Sequence, residues 1–191
     1  SPERGDGFDI YKQFDHNIAC EIRLQTALEN DLLCPFHYFG IQDLVIDENP
    51  QEIKDFKRLT SDERVRQIIK AAEYYGYSGE CVRGLIFCSK KDEAKELSDK
   101  FNETGLYKTV FLCGETPQVE RERAIGRLTA PKSDPNRLDY IFTVDIFNEG
   151  VDIPEINQVI MLRPTESAII FVQQLGRGLR KSAGKEYVVI I

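Results

Sequence analysis

From residue 60 to the end of the chain, short apolar runs alternate with amphipathic stretches, and this alternation narrows the possible folds more than any other feature. The runs are Val82 to Cys88, Lys108 to Cys113, Leu138 to Val144, Ile156 to Leu162 and Tyr187 to Ile191. Runs of this kind suit strands buried on both faces, as parallel sheets require. The stretches between them read as helices with recognisable ends. Thr60 and Glu63 have capping-box spacing, and Val65, Ile68, Ile69 and Ala72 follow at the three-and-four spacing of one helical face, which Gly76 ends. Ser89 and Asp92 form a second such box, with Ala94, Leu97 and Phe101 on one face and Gly105 closing it. Thr116-Pro117 reads as a cap and first-turn pair for a helix toward Leu128, and Arg163-Pro164-Thr165 introduces one more. The sequence therefore predicts an α/β fold, an open and mostly parallel sheet with helices on both faces.

The first part of the chain is different. DIYKQF, CEIRLQTALEN and CPFHYFGIQDLVID mix apolar residues with acidic turns and sustain no repeat, so residues 1–59 read as a connector. A short helix near 20–29 and a strand near 35–45 are expected within it. Residues 60–191 form the folded domain, and 41% hydrophobic composition is enough to give it a core. Apolar runs fall well short of the ~20 residues of a membrane helix, and SPERGDGFDI lacks the basic and apolar regions of a signal peptide. The expectation is a cytoplasmic protein with no membrane partner. The 5 cysteines include no CxxC pair, and His16 and His37 stand apart, so buried free thiols and no metal site are expected.

Charge is uneven. Residues 1–60 hold 6 Lys and Arg against 12 Asp and Glu, whereas residues 61–191 hold 19 against 20. The near-neutral second part can present basic side chains to a phosphate although the whole chain is acidic.

In doubly wound sheets, ligands collect in the loops that lead from strands into helices. Ser89-Lys90, after one strand, is a candidate phosphate contact at a helix N-terminus. Within TVDIFNEGVDIP, Thr143 offers a hydroxyl at a strand end, Gly150 permits a tight turn, and Asp152 could accept from ribose hydroxyls. QQLGRGLRK carries Arg177 and Arg180 three apart on one helical face, and a pair of guanidinium forks suits a multiply charged phosphate.

LIFCSKKDEA, TVDIFNEGVDIP and QQLGRGLR, in that order, resemble motifs IV, V and VI of superfamily 2 helicases and translocases. The resemblance covers residues 82–191 and implies the second, C-terminal RecA-like lobe of such a motor. It assigns Arg177 and Arg180 as arginine fingers toward the γ-phosphate of ATP, and Gln173 as the glutamine facing the hydrolytic site. It gives Asp152 to the nucleotide ribose and Gly150 to the turn beside it, and gives Ser89 and Thr143 to a nucleic-acid backbone, with Lys90 added from its position. Gln174 departs from the commoner arginine at its place. SPER, residues 1–4, resembles the tail of motif III in the restriction-associated branch, which puts DNA ahead of RNA as the track.

A phosphate-cradling GxxxxGK[ST] is missing from the sequence: Gly184-Lys185 precedes Glu186, and Gly178 lies one position too far upstream. LVIDEN at 44–49 looks like a strand ending in Mg²⁺-binding acids, yet nothing before it could hold a triphosphate, so it reads as a decoy. ATP and Mg²⁺ are then expected to be held mainly by an N-terminal lobe, the chain's implied partner, and these residues alone should not hydrolyse ATP. A non-catalytic nucleic-acid or protein interaction module with a degenerate motor fold is the alternative. A single-lobe Rossmann enzyme is disfavoured because no GxGxxG follows a strand.

Overall fold

The computed structural model describes residues 24–41, 59–144, 153–162 and 179–191. The chain divides into two compact units, Ser1–Leu33 and Cys34–Ile191.

In the first unit, helix α1 spans Leu24–Glu29. Asp31 ends it in the left-handed region at φ 57, where its N–H bonds Leu28 O at 3.0 Å and the Leu32 N–H bonds Ala27 O at 2.8 Å. That paired pattern satisfies the last carbonyls of the helix.

The second unit is built on six strands: β1 (Phe36–Tyr38), β2 (Gly84–Phe87), β3 (Thr109–Leu112), β4 (Tyr140–Thr143), β5 (Gln158–Met161) and β6 (Val188–Ile190). Their order is β1-β6-β5-β2-β4-β3, and every neighbouring pair is parallel. Among the described residues, helices α2 (Asp62–Tyr75), α3 (Lys91–Glu103) and α4 (Gln118–Thr129) accompany the sheet. The expected parallel α/β sheet is thus present. β1 lies before the anticipated boundary at residue 60, yet it forms one edge of the sheet, with Phe36 opposite Val188 and Tyr38 opposite Ile190.

Connection handedness places the helices. α3 carries the chain outward from β2 past β4 to β3, and α4 brings it back inward to β4. Right-handed crossovers in opposite directions put their helices on opposite faces. On the α3 face, Val65, Ile68, Ile69 and Ala72 of α2 and Ala94, Leu97 and Phe101 of α3 cluster with Ile86, Tyr140, Phe142 and Ile160 of the sheet. Ala124 and Leu128 of α4 are buried outside that cluster. Each fully buried side chain of this size contributes about 1.5–3 kcal/mol of transfer free energy.

The helix ends differ in detail from their sequence reading. α2 is capped by Ser61, one residue later than expected, with Oγ accepting from Arg64 N at 3.2 Å. Gly76 closes it at φ 65, a conformation open to glycine at little cost. α3 is preceded not by a Ser89 cap but by Lys90, whose side chain makes no capping bond. Pro117, rather than Thr116, occupies the N-cap of α4, and Thr116 Oγ1 accepts from Cys113 N at 2.9 Å in the turn before it.

Candidate functional site

Three strand ends meet at the C-terminal edge of the sheet, where β2 sits between β4 and β5. Phe87 pairs with Thr143 on one side and Met161 on the other. The contacts continue past the strands: Cys88 N donates to Thr143 O at 2.9 Å and Leu162 N to Phe87 O at 2.9 Å. Ser89-Lys90, Thr143 and Leu162 are therefore held as neighbours by backbone hydrogen bonds. Leu162 immediately precedes the segment that leads to Arg177.

Ser89 and Lys90 are exposed. Among the described residues Lys90 has no ion pair, whereas the next lysine, Lys91, is engaged by Glu115 of the loop after β3. The hydrogen bond between them raises the Lys91 ammonium above its ordinary value and lowers the Glu115 carboxyl below its own. Lys90 is thus the lysine of this loop available for an anion, at the start of a helix whose N-cap side chain makes no capping bond. One amide is already committed: Ser89 N donates to Glu93 Oε2 at 3.1 Å.

Glu93 lies inside the protein. Its side chain is 0% exposed, and its Oε1 accepts from Arg64 Nη1 at 3.2 Å, the Arg64 side chain being 5% exposed. Arg64 also donates to Leu59 O at 3.1 Å and reaches Leu162 O at 3.5 Å. This constellation ties the start of α2, the loop after β2 and the end of β5 together, and sequence reasoning missed it. A signal was present: Arg64 stands in register with Ile68 and Ala72, and Glu93 with Leu97 and Phe101, at the four-residue spacing of each buried stripe.

Thr143 departs from expectation. Its hydroxyl was expected to be offered to a nucleic-acid backbone, but the residue is 0% exposed and its buried Oγ1 has no hydrogen-bond partner. It ends a central strand, between β2 and β3, where both sheet faces are covered.

Arg180 lies elsewhere. It is exposed and follows Leu179, which is buried and accepts from Cys34 N at 2.6 Å, two residues before β1 begins. The following turn packs at the N-terminal ends of the strands: Lys185 Nζ donates to Ile156 O at 3.1 Å and to Pro154 O, and Glu186 N donates to Ser78 Oγ at 2.9 Å. Burial raises the Cys34 thiol in this region above its ordinary value, an effect opposed by Lys185 and Lys181. The structure brings Ser89, Lys90 and Thr143 together at one end of the sheet and holds Arg180 toward the other. Gln173, Arg177, Gly150, Asp152 and the LVIDEN segment lie outside the described residues.

The open six-stranded parallel sheet with helices matches the fold of RecA-like helicase C-terminal domains. The helicase conserved C-terminal domain family matches residues 60–182. The chain belongs to that family. It is 26% identical over 189 residues to the ATP-dependent RNA helicase SrmB of Haemophilus influenzae, covering 92% of this chain and 41% of SrmB. In fold it resembles a candidate HsdR subunit of a type I restriction enzyme from Vibrio vulnificus YJ016, with a TM-score of 0.74 at 20% identity over 100% of this chain and 38% of that one. It also resembles the ATP-dependent Type ISP restriction-modification enzyme LlaBIII bound to DNA, with a TM-score of 0.58 at 23% identity over 87% of this chain and 12% of that one. The chain spans between 15% and 41% of the length of the first four curated relatives it matches.

Proposed function

We propose that this chain is the C-terminal motor lobe of an ATP-dependent nucleic-acid translocase or helicase. In this reading it completes a nucleotide site held mainly by an N-terminal lobe, while its own strand ends grip the track. The observation that carries the reading is the separation of Ser89 and Lys90 from Arg180, the described residue of the arginine segment. Ser89 and Lys90 face solvent at the C-terminal edge of the sheet, where a phosphate backbone can pass. Arg180 is exposed toward the other end, next to a buried anchor, Leu179. An exposed guanidinium on an anchored turn fits the task of meeting a phosphate carried by another body, since it keeps its charge and offers forked donors.

Arg177 and Arg180 are assigned as the fingers, Gln173 as the residue facing the attacking water, and Asp152 with Gly150 as the ribose contact. When bound, ATP with Mg²⁺ supplies the phosphoryl group whose transfer such fingers accelerate. Ser89 and Lys90 supply the contact to the track. The buried Thr143 hydroxyl joins them only where the surface beside it opens. DNA is the proposed track, ahead of RNA: the restriction-enzyme neighbour is bound to DNA, whereas SrmB is named an RNA helicase. A cytoplasmic location fits this work.

The test is nucleic-acid-stimulated ATP hydrolysis, measured for the 191-residue chain alone and for the protein carrying both lobes. The two-lobe protein should turn over ATP faster when DNA is added, and the isolated chain should show no turnover. Salt-sensitive, micromolar DNA binding by the chain alone, with no stimulated hydrolysis in the two-lobe protein, would favour the binding-module alternative.

A further inference from the structure

The loop proposed to touch the track owes its shape to a pair of charges buried beneath it. Arg64 belongs to α2 and Glu93 to α3, and their side chains are 5% and 0% exposed. Desolvating two such groups is unfavourable, and a well-packed apolar pair of similar size would serve stability as well or better. The pair is thus poorly explained by stability alone. What an apolar pair could not do is make the hydrogen bonds present here. Glu93 uses one oxygen on Arg64 at 3.2 Å and the other on the Ser89 N–H at 3.1 Å. Arg64 spreads its fork over Glu93, Leu59 O at 3.1 Å and Leu162 O at 3.5 Å. Lysine, a point charge without a planar fork, could not span these acceptors in the same way.

We infer that Arg64 and Glu93 are positioning residues for nucleic-acid contact. They fix the Ser89-Lys90 backbone and join it to the end of β5, so that the track-contacting loop and the strand leading toward the arginine segment move as one piece. The inference rests on the proposed role of Ser89 and Lys90. It is separable from that role, because the state of the Ser89 amide can be read without any nucleic acid.

Three variants test it: Glu93→Gln, Arg64→Lys and the double replacement Arg64→Met with Glu93→Leu. For each, hydrogen exchange at the Ser89 amide is measured in the 191-residue chain, unfolding is followed in urea, and oligonucleotide affinity is measured in the two-lobe protein. The double variant should unfold at a moderately lower urea concentration than wild type, because part-buried Leu59 O, Leu162 O and the Ser89 N–H exchange their partners for water while the buried charges are removed. Its Ser89 amide should exchange at least about tenfold faster, because a bond to a charged acceptor is lost. Its affinity for a short single-stranded or duplex DNA oligonucleotide should fall about tenfold. Glu93→Gln, which keeps an acceptor oxygen, should fall between wild type and the double variant, and Arg64→Lys should loosen the loop although it keeps the charge. Wild-type Ser89 exchange in the double variant, or faster exchange with unchanged affinity, overturns the inference and leaves the pair a plain packing element. If the wild-type two-lobe protein binds no oligonucleotide, the nucleic-acid reading fails, and the exchange measurement still decides whether the pair sets the loop.

Discussion

The two ends of the sheet are stabilised by different chemistry. At the N-terminal end, neutral amides are fully used. Asn157 Nδ2 donates to Ser78 O at 2.7 Å and Cys81 O at 2.8 Å, and its Oδ1 accepts from Arg83 N at 2.8 Å. Gln158 Nε2 donates to Ala72 O at 2.9 Å and Gly76 O at 2.7 Å, while its Oε1 accepts from Tyr140 OH at 2.6 Å. At the C-terminal end the interior holds a charge pair and the Thr143 hydroxyl, buried without a partner. The N-terminal end is held chiefly by neutral amides, with Arg83 Nε buried there without a partner among the described residues, whereas the C-terminal end holds a buried charge pair and an unpaired hydroxyl beside the loops proposed to act.

The largest effect should come from breaking the amide-held end. Asn157→Leu strands two carbonyls and an amide inside the protein, and urea unfolding should register a loss of about 4 kcal/mol, at about 1–3 kcal/mol for each orphaned group after partial relaxation. Gly84→Ala should follow at about 3 kcal/mol, since a Cβ there would stand 2.1 Å from the Tyr140 ring in the middle of the sheet. If Gly84→Ala is neutral, the close packing of β2 on β4 is wrong.

A pH dependence probes the same end. Burial, with the nearby Glu73 carboxylate, pushes the Tyr107 hydroxyl up from 10.0 to about 12. The folded state therefore holds this proton more tightly than the unfolded chain does. Its contribution is fully present below pH 10.0 and is lost as pH rises through about 12. Stability should decline across that window, and Tyr107→Phe should decline less steeply; equal slopes would remove Tyr107 from the account. The smallest effect has the opposite sign and belongs to the other end. Thr143→Val removes a buried, unpaired hydroxyl and should raise stability by about 1 kcal/mol. A loss instead would mean that the hydroxyl has a use in the folded protein.

Much of this architecture was legible in the residues. The runs from Val82, Lys108, Leu138, Ile156 and Tyr187 all contain strands, because a parallel strand covered on both faces must be apolar nearly throughout. Helix ends were visible where one residue has a local reason to be there, as Gly76 does at φ 65. Strand order was not legible, since side-by-side pairing of distant parallel strands leaves no mark in a local pattern. β1 answers to the strand expected near 35–45, but it was assigned to the connector rather than to the sheet because Phe36, His37 and Tyr38 lie at an edge, half-buried or exposed, with no periodicity to report. Ser89 was read as a cap because its spacing to Asp92 is right, whereas the group that reaches the Ser89 amide is Glu93, one residue further on. Arg64 and Glu93 were passed over because a charge on an amphipathic helix is ordinarily taken for its solvated face. Only their register with the buried stripes marks them as internal.

The central claim is that Arg177 and Arg180 meet a phosphate that this lobe does not itself hold. DNA-stimulated ATP hydrolysis by the two-lobe protein, compared among wild type, Arg177→Ala and Arg180→Ala at matched DNA occupancy, addresses it most directly. The account predicts that each substitution lowers turnover by about 10³-fold or more, in line with other arginine fingers, while DNA affinity stays near wild type. Wild-type turnover in both variants would contradict it.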